Sequence, residues 1–211
     1  MKTVLITGFD PFGDQKINPS YEAVKNISDK IENVSIVKAM LPTVFNKSAQ
    51  VLSDLIAENQ PDVVICVGQA GGRKGISLER VAINIDDARI PDNLMQQPID
   101  QVINPLGKNA YFTSLPIKRM KQVLESHHIE VSISNSAGTF VCNHVMYHLL
   151  DEVFQKELNI KGGFVHVPYL PEQSQNQPTM TLAEITFALE KIIETAINFD
   201  DDLAIVGGSL C

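Results

Sequence analysis

Short runs of apolar and β-branched residues alternate along the chain with longer segments in which apolar residues recur every three or four positions. Strands are indicated by the runs "KTVLIT", "VSIVKAM" and "DVVICVG". Helices are indicated by the segments between them, "PSYEAVKNISDKI" and "TVFNKSAQVLSDLIAENQ". Alternation of this kind predicts an α/β fold built around one sheet.

Two of the predicted helices carry a continuous apolar stripe. The stripe of the second helix consists of Phe45, Ala49, Leu52, Leu55 and Ile56. The stripe of the last helix consists of Leu182, Ile185, Leu189, Ile192, Ile193 and Ala196. Because an amphipathic helix buries its apolar stripe, we expect both helices to cover a face of the sheet.

The centre of the chain departs from this alternation. It reads "ISLERVAINIDDARIPDNLMQQPIDQVINPLG", and only the part around Leu78 to Ile85 is strand-like. We interpret it as a strand or hairpin followed by a long excursion, because Pro, Asp and Asn interrupt any regular period. Excursions of this length in compact domains are usually functional loops or interface arms. The alternation then resumes with "PIKRMKQVLESHH", "VSISNSA" and "GGFVHVP".

Length, composition and charge narrow the class of protein. With 211 residues, 44% of them hydrophobic, the chain can bury a full core but is short for two domains, so we expect a single domain over residues 1–211. The net charge is −8 and the Lys and Arg residues are scattered, which argues against a nucleic-acid partner.

The sequence also bears on location. The start, "MKTVLITGFDPFG", has an apolar run much shorter than a signal-peptide core, and no window approaches the roughly 18 apolar residues of a membrane span. Three widely spaced cysteines do not form a disulfide framework. We therefore expect a cytoplasmic protein with reduced thiols and no membrane partner.

Among the three cysteines, Cys142 has the most reactive setting. Cys66 lies inside "VVICVG", where a cysteine is ordinarily a small buried hydrophobe, and Cys211 is the last residue. Cys142 stands where the strand "VSIS" passes through the small-residue turn "NSAG" into a helix, and a helix N-terminus stabilises a thiolate. A reactive thiol and a structural thiol both remain open at this point.

A nucleophilic thiol needs a base, and His166 has the best location for one. It stands in "GGFVHVPYLP", near the end of a strand, where ligand-facing residues of α/β sheets collect. His127 and His128 end a helix and look solvated. His144 and His148 share a helix face and could bind zinc with Cys142, but the segment lacks the Glu of a His-Glu-x-x-His motif, so we expect no metal.

Glu79 is the candidate for an orienting acid. It stands in the strand-like run "ISLERVAIN", between Leu78 and Arg80. It could be an ordinary surface glutamate, or a half-buried carboxylate that fixes the tautomer of His166.

The glycine-containing stretches "TGFDPFG" and "GQAGGRKG" match no phosphate-binding loop, and we expect them to bring backbone close to a ligand at strand ends.

Four motifs taken together resemble the pyroglutamyl peptidase I family, also called pyrrolidone-carboxylate peptidases. They are "TGFDPFG…NPS", "VGQAGGR…ISLERVAIN", "SNSAGTFVCNHVMY" and "GFVHVPYLPEQ", and they occur in order over nearly the whole chain. The resemblance implies a cytosolic cysteine peptidase that removes an N-terminal pyroglutamate, with Glu79, Cys142 and His166 as its triad. It also implies a phosphorylase/hydrolase-like α/β domain with helices on both faces of a mixed, twisted sheet, a homotetramer, and no cofactor.

The same resemblance implies a pocket for the pyroglutamyl ring. Its expected lining residues are Phe9, Phe12, Gln69, Arg89, Phe140 and Val141. Pyroglutamate is a neutral lactam without a free α-amine, so its pocket needs aromatic faces and amide-type partners and no carboxylate for an ammonium group. Phenylalanine rings and the Gln69 amide are residues of that kind.

Two other classes of function stay open from the sequence. One is an α/β protein that binds small molecules or processes nucleosides in the same strand-end crevice, with Cys142 as a structural thiol. The other is a non-catalytic interaction domain. The apolar "LAIV" near the end of the chain is a further candidate for packing against another subunit.

Overall fold

The structure of the protein, a computed structural model, describes residues 2–208. Its main sheet contains seven strands, which are β1 (Lys2–Phe9), β2 (Lys30–Ile31), β3 (Val34–Leu41), β4 (Val63–Gln69), β5 (Ile76–Glu79), β8 (Val131–Ser134) and β9 (Lys161–Val167). The remaining strands, β6 (Val81–Ile83) and β7 (Ala110–Phe112), form a separate antiparallel pair. The five helices are α1 (Pro19–Asn26), α2 (Lys47–Asn59), α3 (Ile117–Ser126), α4 (Val141–Gln155) and α5 (Leu182–Asn198).

The main sheet is mixed. Its strand order is β2-β3-β1-β4-β9-β5-β8. The four central strands β3, β1, β4 and β9 run parallel, whereas β5 pairs antiparallel with β9 and parallel with β8. The parallel strands β1, β4 and β9 are largely buried, as expected for a sheet that is covered on both faces, whereas β3 is only partly buried.

Two hydrophobic cores occupy the two faces of this sheet. One core joins α1, α3 and α5 to the strand positions that include Val4, Ile65 and Val165. The other joins α2 and α4 to the intervening positions, which include Leu5, Cys66 and Phe164. Alternate strand residues thus point to opposite cores. The predicted single α/β domain with helices on both faces of a mixed sheet is confirmed.

The predicted apolar stripes are mostly buried, and the start of one of the two helices differs from the prediction. On α5, Ile185, Leu189 and Ile192 have no exposed surface. Helix α2 begins at Lys47, so Phe45 lies before it, although its side chain is buried in the same core. Asn46 between them has a φ of 58° and a ψ of −44°, which is not helical and keeps the preceding segment out of the helix.

The strand-like part of the central segment is divided between two sheets, which the sequence did not indicate. The strand-like run from Leu78 to Ile85 is broken at Arg80, so that β5 belongs to the main sheet and β6 to the small one. Residues 84–109, all of which the structure describes, contain no helix or strand beyond a single bridge between Asp86 and Gln101. This long excursion packs beside α4 through Ala88 and Ile103.

Within residues 2–208, no helix combines the length and apolar character needed to cross a membrane.

Candidate active site

Cys142 lies in the first turn of α4, close to where the sequence placed it. The chain leaves β8 at Ser134 and passes through Gly138, whose φ of 83° suits glycine, before the helix begins at Val141. The N–H groups of a first helical turn have no partner within the helix. The Cys142 backbone therefore offers a donor beside its own sulfur.

The Cys142 sulfur rests against a glycine in the middle of the sheet. A Cβ atom built on Gly68 would lie 2.9 Å from Cys142 Sγ and 2.8 Å from the ring of Phe164. Gly68 on β4 is in register with His166 on β9, and the Phe164 and His166 rings on the same face are 4.9 Å apart. The structure thus brings Cys142 and His166 to neighbouring positions on one face of the sheet.

His166 and Glu79 form a buried hydrogen-bonded pair. His166 Nδ1 donates to Glu79 Oε1 at 2.7 Å across the antiparallel contact of β9 and β5. The Glu79 side chain is fully buried, more so than the half-buried carboxylate that the sequence suggested. Because the carboxylate engages Nδ1, Nε2 is the ring nitrogen that remains to accept a proton.

The environment keeps Glu79 ionised. Burial works to raise the pKa of its carboxyl, but the hydrogen bond and charge of His166, a hydrogen bond from Ser134 and the charge of Arg73 outweigh burial, and the pKa lies below its ordinary value. Arg73 Nη1 lies 2.5 Å from Glu79 Oε1. Sequence reasoning missed Arg73, because a basic residue in the glycine-rich "GGRKG" looks like an ordinary loop cation.

The Cys142 thiol is neutral in the free protein. Burial raises its pKa to about 12, the Glu79 carboxylate adds to the increase, and Arg73 opposes it. The expectation that the helix N-terminus alone would favour a thiolate therefore omits the larger effect, which is loss of solvent around the sulfur. Proton transfer to His166 must accompany nucleophilic attack.

A cavity of about 340 Å³ opens beside Cys142. All six residues predicted to line a ring pocket are in its wall, namely Phe9, Phe12, Gln69, Arg89, Phe140 and Val141. Cys142 is in the wall as well. The sequence analysis missed the other lining residues, which are Asn18, Thr43, Gly71, Ile90 and Tyr169.

Aromatic contacts build one side of this cavity. The ring of Phe140 lies 5.4 Å from that of Phe12 and 5.2 Å from that of Phe45. Phe9 has only 2% exposed surface and contacts Phe164, with 6.3 Å between ring centroids. Val141 is fully buried. The rings of Phe12 and Phe140 are therefore the more accessible ones, whereas the Phe9 side chain also belongs to the hydrophobic core.

Polar side chains around the cavity are held in place by hydrogen bonds. Gln69 Oε1 accepts from Gln173 Nε2 at 3.1 Å. Asp10 holds two of the lining residues that sequence reasoning missed: its Oδ1 accepts from Thr43 Oγ1 at 2.7 Å, and its backbone carbonyl accepts from Asn18 Nδ2 at 2.9 Å. Arg89 is exposed at the rim.

The other histidines and cysteines have different surroundings. His144 is buried, with Nδ1 2.7 Å from Asp86 Oδ2 and with Nε2 accepting from the Asn46 N–H at 3.0 Å. Within residues 2–208, no three His, Cys, Asp or Glu side chains are grouped so that they could hold a metal ion. Cys66 is buried in the sheet, as predicted, and Cys211 lies outside the described residues.

Comparison with known proteins identifies the family. Residues 2–199 match the family model described as pyroglutamyl peptidase. The pyrrolidone-carboxylate peptidase of Thermosipho africanus is 57% identical over 202 residues, covering 94% of this chain and 98% of that protein. The Clostridium botulinum pyrrolidone-carboxylate peptidase is 52% identical over 211 residues, covering 99% of both chains.

A solved structure agrees with the sequence matches. The crystal structure of pyroglutamyl peptidase I from Bacillus amyloliquefaciens superposes with a TM-score of 0.95 at 48% identity. The superposition covers 97% of this chain and 99% of that one. The fold and the sequence agree over nearly the whole length, and the chain belongs to the pyroglutamyl peptidase family of cysteine peptidases.

Proposed function

We propose that this protein hydrolyses the bond after an N-terminal pyroglutamyl residue of peptides and releases 5-oxoproline. The observation that carries the proposal is that Cys142 lies in the wall of an aromatic cavity while its sulfur lies at the sheet position next to His166. His166 is in turn hydrogen-bonded to the buried Glu79. A thiol, a base and an orienting carboxylate thus stand at the end of a pocket of suitable chemistry.

The pocket suits a neutral lactam ring. Phe12 and Phe140 offer apolar faces for the ring methylenes, and Gln69 offers amide groups for the ring N–H and carbonyl. The lining residues include no Asp or Glu, so the cavity has no anion to pair with the free ammonium group of an ordinary N-terminus. A prolyl substrate would lack the ring carbonyl and would leave pocket polar groups unpaired, which is costly when they are buried.

The proposed reaction begins with proton transfer. His166 Nε2 accepts the proton of the Cys142 thiol as the sulfur attacks the pyroglutamyl carbonyl carbon. The negative charge that develops on the carbonyl oxygen is stabilised by the Cys142 backbone N–H at the start of α4. Glu79 orients the imidazole and stabilises the imidazolium without taking the proton itself.

The second half of the reaction regenerates the enzyme. The imidazolium of His166 donates its proton to the departing amine, the carbon–nitrogen bond breaks, and a thioester between the pyroglutamyl group and Cys142 remains. His166 then removes a proton from water, which attacks the thioester and releases 5-oxoproline with the thiol restored. Only protein groups and water are needed for these steps.

We also propose that the protein is cytoplasmic and works as a homotetramer. Three widely spaced cysteines, odd in number, are typical of a protein from a reducing compartment, where thiols stay reduced. The excursion exposes a group of large apolar side chains, each with more than half of its surface accessible, namely Leu94, Met95, Ile99, Val102 and Leu106. Exposed apolar patches of this kind are typical of subunit interfaces.

Hydrolysis of chromogenic amides tests the activity. We expect the protein to release the chromophore from a pyroglutamyl amide and not from the matched prolyl amide, with activity abolished by a thiol-alkylating reagent and retained with a chelator. A protein that binds the pyroglutamyl amide without turning it over would contradict the proposal and favour the binding-protein alternative. Loss of activity on chelation would point to a metal enzyme instead.

A further inference from the structure

Arg73 lies in the loop between β4 and β5, and its guanidinium meets the buried carboxylate of the triad. Arg73 Nη1 is 2.5 Å from Glu79 Oε1, the same oxygen that accepts from His166 Nδ1 at 2.7 Å. Glu79 has no exposed side-chain surface, whereas 34% of the Arg73 side chain is exposed. One carboxylate oxygen therefore receives two donors, one from the imidazole and one from the guanidinium.

The same guanidinium contacts the turn that leads to Cys142. Arg73 Nη1 is 3.3 Å from Ser134 Oγ, and Nη2 donates to the Ser136 carbonyl at 3.2 Å. Arg73 thereby connects the end of β5, which carries Glu79, to the segment between β8 and α4. A planar guanidinium with several donors in a fixed arrangement can make this bridge, whereas an ammonium group offers a single charged point.

Charge balance gives a second, independent reason for an arginine here. When His166 accepts the thiol proton, the thiolate, the imidazolium and the Glu79 carboxylate together carry one net negative charge. The Arg73 guanidinium brings that sum to zero. Burial is the main cause of the high pKa of Cys142 and the Glu79 carboxylate adds to it, while Arg73 acts in the opposite direction.

We propose that Arg73 is a positioning residue of this active site, an inference that rests on the proposed peptidase function. It fixes Glu79 Oε1 against His166 Nδ1, and it balances the carboxylate charge while the thiolate and the imidazolium form. Arg73 is not among the residues that line the pyroglutamyl cavity. We therefore expect Arg73 to influence the rate of the chemical step and not the affinity for substrate.

Steady-state kinetics with three variants test this role. We expect Arg73→Gln to lower kcat by about ten- to hundredfold with KM within about threefold of the parent, since a misplaced catalytic group costs rate rather than binding. Arg73→Lys keeps the charge and should recover part of the loss. The control is Arg80→Gln, because Arg80 Nη2 donates to the Gly207 carbonyl at 2.6 Å and not to the triad. Parental kcat in Arg73→Gln, or an equal loss in Arg80→Gln, would overturn the proposal.

Alkylation of Cys142 by iodoacetamide supplies a readout that needs no substrate. Arg73→Gln removes the guanidinium charge and should shift the pH dependence of alkylation toward higher pH. The extent of alkylation at Cys142 is followed by peptide mass analysis. In a Glu79→Gln background the additional shift caused by Arg73→Gln should be smaller than the shift in the parent background, because the carboxylate that Arg73 serves is gone.

Equal shifts in the parent and Glu79→Gln backgrounds would show that Arg73 does not act through Glu79, and the inference would fail. Thermal unfolding of each variant identifies any loss that comes from folding. If the parent alkylates as described but does not hydrolyse the pyroglutamyl amide, the proposed function fails while the role of Arg73 is still decided by the alkylation series.

Discussion

At the scale of residues, the cysteines differ in what surrounds the sulfur. Cys66 is fully buried, and burial raises its pKa to about 12. Cys142 has a similarly raised pKa but lies in the cavity wall at the position next to His166. What separates them is access to a base and to a substrate, and not acidity.

The first prediction follows from this difference. Cys142→Ser should lower kcat/KM for a pyroglutamyl amide by at least about 10³-fold, since loss of the nucleophile removes the covalent route. Cys66→Ser should retain most of the activity and lose some thermal stability, because it places a hydroxyl in an apolar core. The variants are compared by amide hydrolysis and thermal unfolding. Loss of activity in a folded Cys66→Ser equal to that in Cys142→Ser would contradict the assignment.

The second prediction concerns the aromatic wall. Phe12→Ala removes a ring whose centroid lies 5.4 Å from that of Phe140. The substrate ring would lose buried apolar area, at about 25 cal/mol per Å², and an aromatic contact of about 0.5–1.5 kcal/mol. We therefore expect kcat/KM to be about ten- to hundredfold lower. Alkylation of Cys142 should persist. Phe9→Ala should also lower the melting temperature, because Phe9 belongs to the core. Parental kcat/KM in Phe12→Ala would place the substrate ring elsewhere.

The sequence predicted which residues meet at the cavity better than it predicted their surroundings. Cys142 is identified by the strand, turn and helix around it. Five of the six predicted pocket residues meet because they stand at or just after strand ends or at the start of α4, and Arg89 reaches the cavity from the excursion. Arg73 could not be found, because its role depends on a contact with Glu79 that only the fold creates. The high pKa of Cys142 is likewise a property of burial, which no local pattern encodes.

At the scale of elements, helix α4 carries a half-buried histidine, His148, outside the active site. Burial lowers the pKa of His148 to about 4, although the nearby carboxylates Asp151 and Glu152 act in the opposite direction. The rings of His144 and His148 are 4.5 Å apart. His148 is therefore neutral in the folded protein at pH values where the unfolded chain, with a histidine pKa near 6.5, is protonated.

The third prediction is a pH dependence of stability. Between about pH 6.5 and 4 the unfolded chain binds more protons at His148 than the folded chain does, so the free energy of unfolding falls as the pH falls through this range. In His148→Phe, the drop in melting temperature between pH 7 and pH 5 should be smaller than in the parent. His128→Asn is the control, because His128 is exposed and Asn tolerates its φ of 59°. An unchanged drop in His148→Phe would contradict the assignment.

Element boundaries show where local patterns stop being informative. The run from Leu78 to Ile85 alternates in a way that fits one strand, yet the chain changes sheets at Arg80, because β5 pairs with β8 and β9 while β6 pairs with β7. Helix α5 is the opposite case. Its apolar stripe is reinforced by a capping box between Thr181 and Glu184, both visible in the sequence, and it lies where it was predicted.

At the scale of the whole molecule, the excursion over residues 84–109 is the surface most suited to assembly. Met95 and Leu106 are 78% and 91% exposed, whereas the polar residues Asp151 and Asn104 anchor the end of the segment to α4 through a 2.7 Å hydrogen bond. An apolar surface that is held in a fixed shape can pack against a second copy without the cost of ordering.

The fourth prediction tests that surface. Met95→Asp combined with Leu106→Asp should convert the proposed tetramer to smaller species in light scattering after size exclusion, since each subunit contact would then bury a charge. Phe187→Asp is the control, because Phe187 is 37% exposed on α5, over the opposite face of the sheet. A monomeric parent, or an unchanged mass in the double variant, would contradict the proposed assembly.

The order of strands in the sheet has a consequence for the nascent chain. β4 ends at Gln69, but its neighbour β9 begins only at Lys161, and β5 has no strand beside it in the main sheet until β8 and β9 exist. During translation the apolar edge of β4 thus stays open while the middle of the protein is made, and this is the stage most exposed to aggregation and to chaperones. His166 lies on the last strand to join, so a ribosome-bound chain acquires its base only when most of it has been synthesised.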